Sequence, residues 1–226
     1  MKSRKGKLIV IDGADGSGKA TQTERLVAYF KKHHLPHKYI SFPRYKTSFH
    51  GKHVGRFLKG EFGGNGEVSP YLSSLAFALD RLTARDQLVD WLKEGNLVIA
   101  DRYVSASLAH QGSKVSSEKR SSFLDWLYTM EYLEHKLPKE DIVIYLYVPL
   151  EVSQELIKKR GSADIADSDL DHQSRTITLY QELVKKYPHW VMITCVDKKG
   201  KLLAIDAIHQ QILEVLRQRH ILPSSS

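Results

Sequence analysis

Cysteine is almost missing from this sequence. Cys195 stands alone among 226 residues, so no intramolecular disulfide can form, and a reducing, cytoplasmic setting is expected. Cys195 lies in the apolar run WVMITCV, where a buried strand thiol is expected and not a nucleophile. Long hydrophobic runs are missing too. None approaches the roughly 20 residues that a membrane span needs, which argues against any membrane partner. The N-terminal MKSRKGKLIVIDG places basic residues before an apolar stretch, but LIVI is short and ends in Asp-Gly, so it reads as a strand and not a secretion signal. No Cys/His set has zinc-site spacing, and the 11 histidines are scattered, most of them expected at the surface. No nucleic-acid recognition motif of the usual kinds occurs. The net charge of +8 and pI near 9.4 therefore point to small phosphates and not to nucleic acid.

What is there suffices for one well-buried domain: 42% hydrophobic and 27% charged residues. Strands are expected at 7–12, 38–42, 96–101, 141–148 and 190–196. Their apolar runs are continuous and not alternating, as in strands covered on both faces. Helices are expected at 18–34, 50–59, 69–94, 103–111, 118–135, 150–160, 166–187 and 201–219, with a glycine-rich loop at 60–70. This alternation implies a parallel sheet in a three-layer α/β domain over residues 1–222. PSSS at 223–226 reads as a loose tail.

The chemistry begins at GADGSGKAT, Gly13 to Thr21. Gly13, Gly18 and Lys19 have the G-x-x-x-x-G-K spacing of a phosphate-binding loop, placed between a buried strand and a helix. Backbone N–H groups, a helix N-terminus and the Lys19 charge would converge there on phosphate. The usual hydroxyl after the lysine is replaced by Ala20 and comes one place late, at Thr21. Mg²⁺ would then rely on the substrate's phosphates, on water and on Asp101 at a strand end. Arg102 is placed to clamp a second phosphate. On the 69–94 helix, Leu72, Leu75, Ala76, Leu79 and Leu82 form a stripe expected to face the core. Phe77 points nearly opposite, with Arg81 one turn beyond. That pair either stacks on a base and hydrogen-bonds its edge, or is buried by a second layer of structure.

DGADGSGKATQ, FPRY, FALDR, ADRY and LAHQG, in this order and spacing, resemble the thymidylate kinases, P-loop nucleoside monophosphate kinases that pass a phosphoryl group from ATP to dTMP. The resemblance runs from about Lys7 to Tyr187. It implies a P-loop kinase fold with a five-stranded parallel sheet flanked by helices, and a homodimer. It also implies that Gly13, Ala14, Asp15, Gly16, Ser17, Gly18, Lys19, Ala20 and Thr21 hold the ATP phosphates. Asp15 would bind the acceptor's 3′-hydroxyl, and Phe42, Pro43 and Arg44 would lie beside the acceptor. Phe77 would stack on thymine and Arg81 would bond its carbonyl. Arg102 would hold the acceptor phosphate, with Ser107 and Gln111 near the base. His110 stands where an aromatic crowds a ribose 2′-hydroxyl in the resembling family. A histidine changes charge near neutral pH, so sugar discrimination varying between about pH 6 and 7.5 is expected. A lid is expected at 158–171, containing Asp164 and Asp167. Arg160 is its catalytic cation, with Lys159 or Arg175 as alternatives. Catalysis is thus assigned to Lys19, Arg102, Arg160 and Asp101. The rival readings are a kinase for another nucleotide or deoxynucleoside, and a nucleotide-binding module without turnover.

Overall fold

The computed structural model describes residues 5–64, 66–160 and 169–222. Its framework is a single sheet of five strands: β1 (Lys7–Asp12), β2 (His37–Ser41), β3 (Leu97–Asp101), β4 (Ile142–Tyr147) and β5 (Trp190–Thr194). The order is β2-β3-β1-β4-β5 and every pairing is parallel. Side chains alternate between the two faces. Leu8, Val10, Val98, Ala100, Val143 and Tyr145 feed one core, while Ile9, Ile11, Ile99, Ile142, Ile144 and Leu146 feed the other. Two buried faces are why β1, β3 and β4 read as unbroken apolar runs, whereas the edge strands β2 and β5 are partly exposed.

Helix α1 (Lys19–Lys32) and helix α9 (Ile205–Gln218) cover one face, supplying Leu26, Phe30, Ile208, Ile212 and Leu216. The other face is covered by α4 (Arg85–Lys93), α5 (Val104–Gly112), α6 (Ser117–Tyr128) and α8 (Leu170–Lys186), through Leu88, Leu108, Phe123, Leu127, Tyr180 and Leu183. Helices α2 (Phe49–Leu58), α3 (Pro70–Leu82) and α7 (Leu150–Arg160) complete the described set. This is the expected three-layer α/β architecture. The chain builds outward from β1 to β3 and β2 on one side and to β4 and β5 on the other, so a crevice opens above the carboxyl ends of the central strands. Cys195 is fully buried, and burial pushes its thiol up to about 12.

Two expectations fail on the same stretch. The helix expected over 69–94 breaks after Leu82 and restarts at Arg85. The Asp80 carbonyl accepts from Arg44 Nη2 at 2.6 Å and Thr83 Oγ1 at 2.9 Å. The Ala84 N–H meanwhile bonds back to the Arg81 carbonyl at 2.9 Å. Side chains thus take over an acceptor that the helical ladder would have used, without any Gly or Pro to announce it. The leucine stripe on α3 also faces outward and not into the core: Leu72, Leu75 and Leu79 are 64%, 39% and 37% exposed. Its buried side carries Ser73, Ser74, Ala78, Asp80 and Arg81. Periodicity reveals an apolar face but not what covers it, and the polar face turns inward because partners await it there. Ser73 Oγ donates to Gln111 Oε1 at 2.8 Å and Asp80 Oδ1 accepts from Ser48 Oγ at 2.5 Å, while Ser74 Oγ bonds back to the Pro70 carbonyl of its own helix at 2.6 Å.

Candidate active site

β1 delivers Asp12 and then turns sharply through Gly13 to Gly18 into α1. Asp12 is fully buried. Its Oδ1 accepts from the Gly13 N–H at 2.8 Å and the Tyr180 hydroxyl at 2.7 Å, and its Oδ2 from Ser105 Oγ. The loop is thereby tied to α5 and α8. Gly16 and Gly18 have φ of 75° and 80°, in the left-handed region where side chains are strained. A Cβ on Gly16 would also collide with the Ser153 carbonyl of α7.

Lys19 opens α1, and its Nζ donates to the Ala14 carbonyl at 2.8 Å, with Asp15 Oδ1 at 3.9 Å. Burial lowers its pKa to about 8, helped by Arg102 and opposed by Asp15, Asp101 and Asp12. A cation so placed gains from any phosphate that enters. Asp101 ends β3 close by. Burial raises its carboxyl, with Lys19 and Arg102 pulling the other way.

Arg102 follows at φ 62°, an uncommon backbone for a non-glycine residue. Its N–H bonds the Ile11 carbonyl at 3.0 Å, which turns the side chain off the strand. Nη2 donates to Asp15 and Nη1 lies 3.0 Å from His110 Nε2. Burial disfavours the Arg102 charge, but Asp15, Tyr180, Asp12 and Tyr45 together more than offset this and the pKa is raised. Because a guanidinium only donates, His110 Nε2 accepts and the neutral ring carries its proton on Nδ1. Burial and Arg102 push His110 well below the usual histidine range, with His172 and Lys19 adding to this and Asp15 opposing it. That overturns the expected titration between pH 6 and 7.5: the ring stays neutral there, because it is enclosed beside cations.

Over these groups lies a cleft of about 490 Å³. Of the residues singled out in the sequence, it is lined by Asp15, Gly16, Gly18, Lys19, Ala20, Thr21, Phe42, Pro43, Phe77, Arg81, Asp101, Arg102, Ser107, His110 and Gln111. Phe77 is partly exposed to it and meets Phe57 edge-on at 6.5 Å. Gly13, Ala14 and Ser17 sit behind the lining. Arg44 turns instead to Asp80, with its backbone N–H at 2.8 Å from Oδ2 and its Nε at 3.1 Å from Oδ1. The expected lid, with Asp164 and Asp167, falls mostly on 161–168, outside the described residues. The Arg160 side chain lies outside them as well. Its backbone closes α7 one helical turn beyond Leu156, which lines the cleft.

Sequence reasoning passed over Tyr45, Phe57, Lys114, Leu156 and His172, which also line the cleft. Tyr45 was signalled by its place in FPRY; the others carry no local signal. It also passed over the charges behind the lining, Asp80 and Glu131. Glu131 accepts from both Nε and Nη2 of Arg81 through Oε1.

Comparison with known proteins agrees along nearly the whole chain. The sequence profile of the thymidylate kinase family matches residues 11–212. A thymidylate kinase of Mycobacterium tuberculosis is 29% identical over 205 residues, covering 87% of this chain and 95% of that protein. One of Plasmodium falciparum is 26% identical over 223 residues, covering 97% and 94%. The solved structure of thymidylate kinase from Candida albicans, 24% identical, superposes with a TM-score of 0.75 over 98% of this chain and 96% of that one, which establishes the likeness of fold.

Proposed function

This chain belongs to the thymidylate kinase family, and from that premise we propose how its residues phosphorylate dTMP with ATP to give dTDP and ADP. One observation supports the reading above the rest. The glycine loop with Lys19, the Asp15–Arg102–His110 group, and the Phe77–Arg81 pair all line a single cleft. A nucleotide triphosphate needs the first, a monophosphate the second and a base the third.

The loop N–H groups and Lys19 bind the β- and γ-phosphates of ATP. Arg102, aimed by Asp15 and His110, holds the acceptor phosphate in line with the transferring group. Asp15 receives the 3′-hydroxyl as well. Phe77 stacks on thymine and Arg81 donates to its carbonyl, with Ser107 and Gln111 beside it and Phe42 and Pro43 forming the opposite wall. Arg44 acts from behind, holding α3 through Asp80. No general base is required, because the acceptor phosphate is already an anion. What remains for the protein is positioning and charge neutralisation.

The donor set suits Mg²⁺ carried in by ATP. Asp101 lines the cleft beside Lys19, whereas Ala20 has no side-chain oxygen to offer and Asp12 is consumed by Gly13, Ser105 and Tyr180. Asp101 would hold such an ion through water, and the ion would supply neutralisation of phosphate charge. Arg160 closes over the transferring phosphoryl group as the lid cation. The exposed leucines of α3 support a homodimer through that face. The single cysteine suits a cytoplasmic enzyme, and no described helix is long and apolar enough to cross a membrane. Residues 1–222 act as one kinase domain.

A coupled ADP-release assay with a panel of nucleoside monophosphates tests the reading. Turnover is expected with dTMP well above the purine nucleotides. ATP binding without ADP release on addition of dTMP would overturn it in favour of a binding module.

A further inference from the structure

Arg81 carries its charge deep in the fold. Its side chain is 2% exposed and that of Glu131 is fully buried. Glu131 stands 50 residues away, on the π-helical turn Thr129–Glu134 that continues α6. Its Oε1 accepts from Arg81 Nε at 3.1 Å and from Nη2 as well. Nη2 also donates to Ser107 Oγ at 2.7 Å, and Nη1 to the Tyr103 carbonyl at 3.2 Å. A guanidinium has five N–H groups. These contacts take four of them and leave one on Nη1 without an acceptor among the described residues. Arg81 nevertheless lines the cleft, as does Phe77 one turn before it.

The Glu131 carboxylate is oriented by this task. Its Oε2 is buried with no hydrogen-bond partner among the described residues, and the same holds of His135 Nδ1, 4.0 Å away. A glutamate present only to satisfy its surroundings would close that gap, because an unmade buried contact is costly. Here both guanidinium bonds converge on Oε1, and the second oxygen is left over.

We propose that Glu131 is a positioning residue for the acceptor base: it locks the Arg81 guanidinium so that one Nη1 N–H faces the cleft beside Phe77, which admits a pyrimidine with a carbonyl at that edge and excludes one with an amino group. The proposal rests on the reading that the acceptor base lies against Phe77 and Arg81. A guanidinium cannot accept, so an amino group there sets donor against donor and leaves both unpaired. The exclusion holds only while the guanidinium is fixed. Freed from Glu131, it can swing toward the anionic phosphates at Arg102 and surrender the base edge to water.

The test is steady-state kinetics of full-length wild type, Glu131→Ala and Glu131→Asp with dTMP and with dCMP, its amino counterpart, alongside the KM for ATP. Glu131→Asp keeps the buried charge but draws the carboxylate back by one methylene, so it stays informative where Glu131→Ala fails to fold. In either variant the KM for dTMP should rise about 10- to 100-fold, the range for losing a well-placed hydrogen bond to a charged group. The preference for dTMP over dCMP should narrow by a similar factor, while kcat and the ATP KM change little. A merely structural glutamate would reduce the active fraction, and hence kcat, without moving the dTMP KM or the dTMP/dCMP ratio. That result in the folded variants would overturn the proposal. An Arg81→Ala protein with an unchanged dTMP KM would instead overturn the placement of the base on which it rests.

Discussion

His110 shows how far the setting of one residue governs its chemistry. A histidine bordering the acceptor sugar invites a pH-dependent reading, but this one accepts from Arg102 and is held well below the usual range by burial and that neighbouring charge. The proton that matters is therefore already off at pH 6. The ratio of kcat/KM for dTMP to that for its ribo-analogue should stay constant, within about twofold, from pH 6 to 7.5. A ratio that moves as one proton binds across that interval would show that the ring titrates and that Arg102 does not hold it neutral. His110→Leu removes the acceptor beside Arg102 Nη1 and should raise the KM for dTMP about tenfold, by loosening the guanidinium that holds the acceptor phosphate. An unchanged KM would remove His110 from the positioning of Arg102. At this scale, the residues legible in the sequence were those with a motif around them: Gly13 to Thr21, Phe77 and Arg81, Asp101 and Arg102. Asp80, Glu131 and Tyr180 were not, because their partners lie 36, 50 and 168 residues away. No local pattern marks a contact made only by the fold.

Helices α7 and α3 each decide something that no single residue does. The close packing of α7 on the phosphate loop leaves no room for a side chain at Gly16, where a Cβ would strike the Ser153 carbonyl. A side chain at that position is thereby excluded as the source of a cation for the transferring phosphoryl group, and we propose that Arg160 at the far end of α7 supplies it. Arg160→Ala should lower kcat by about 100-fold or more, as removal of a transition-state charge stabiliser does, with the KM for dTMP moving much less. An unchanged kcat would pass the role to Lys159 or Arg175. On α3 the apolar stripe was legible from its spacing, but its destination was not, because a helix period is the same whether the chain's own core or a second subunit covers it. Three leucines left on the surface argue for the second subunit. Leu75→Glu should weaken self-association about 30-fold or more, as loss of a central interface residue does, in sedimentation equilibrium. The melting temperature of the monomer should hardly change. A variant that still sediments as a tight dimer would move the interface elsewhere.

Across the whole molecule, binding and stability are linked through Lys19. The five-stranded sheet was legible because its central strands β1, β3 and β4 are buried on both faces and show it, with the half-exposed β2 and β5 falling in place at the edges. The cost of the site was not, because it arises from where β1, β3 and α1 bring their ends together. Lys19 is pushed down to about 8 by burial, with the Arg102 charge working in the same direction. A lysine whose pKa is lowered by folding destabilises the empty protein while it is protonated. The penalty is complete at pH 7 and is relieved as pH rises through about 8 toward the unfolded value near 10.4. Phosphate binding relieves it in another way, by adding negative charge to that of Asp15, Asp101 and Asp12. Lys19→Met removes the charge and retains most of the volume. At pH 7 the empty variant should therefore melt no lower than wild type. ATP at 100 times its Kd should stabilise wild type by about 2.7 kcal/mol, which for a chain of this length is a shift of about 5–10 °C. The variant should lose most of that shift, together with several orders of magnitude in turnover. Differential scanning calorimetry of both proteins with and without ATP separates the cases. A variant that melts several degrees below wild type when empty would show that Lys19 stabilises the fold. One that keeps the full ATP shift would show that the loop does not use this lysine to hold the nucleotide.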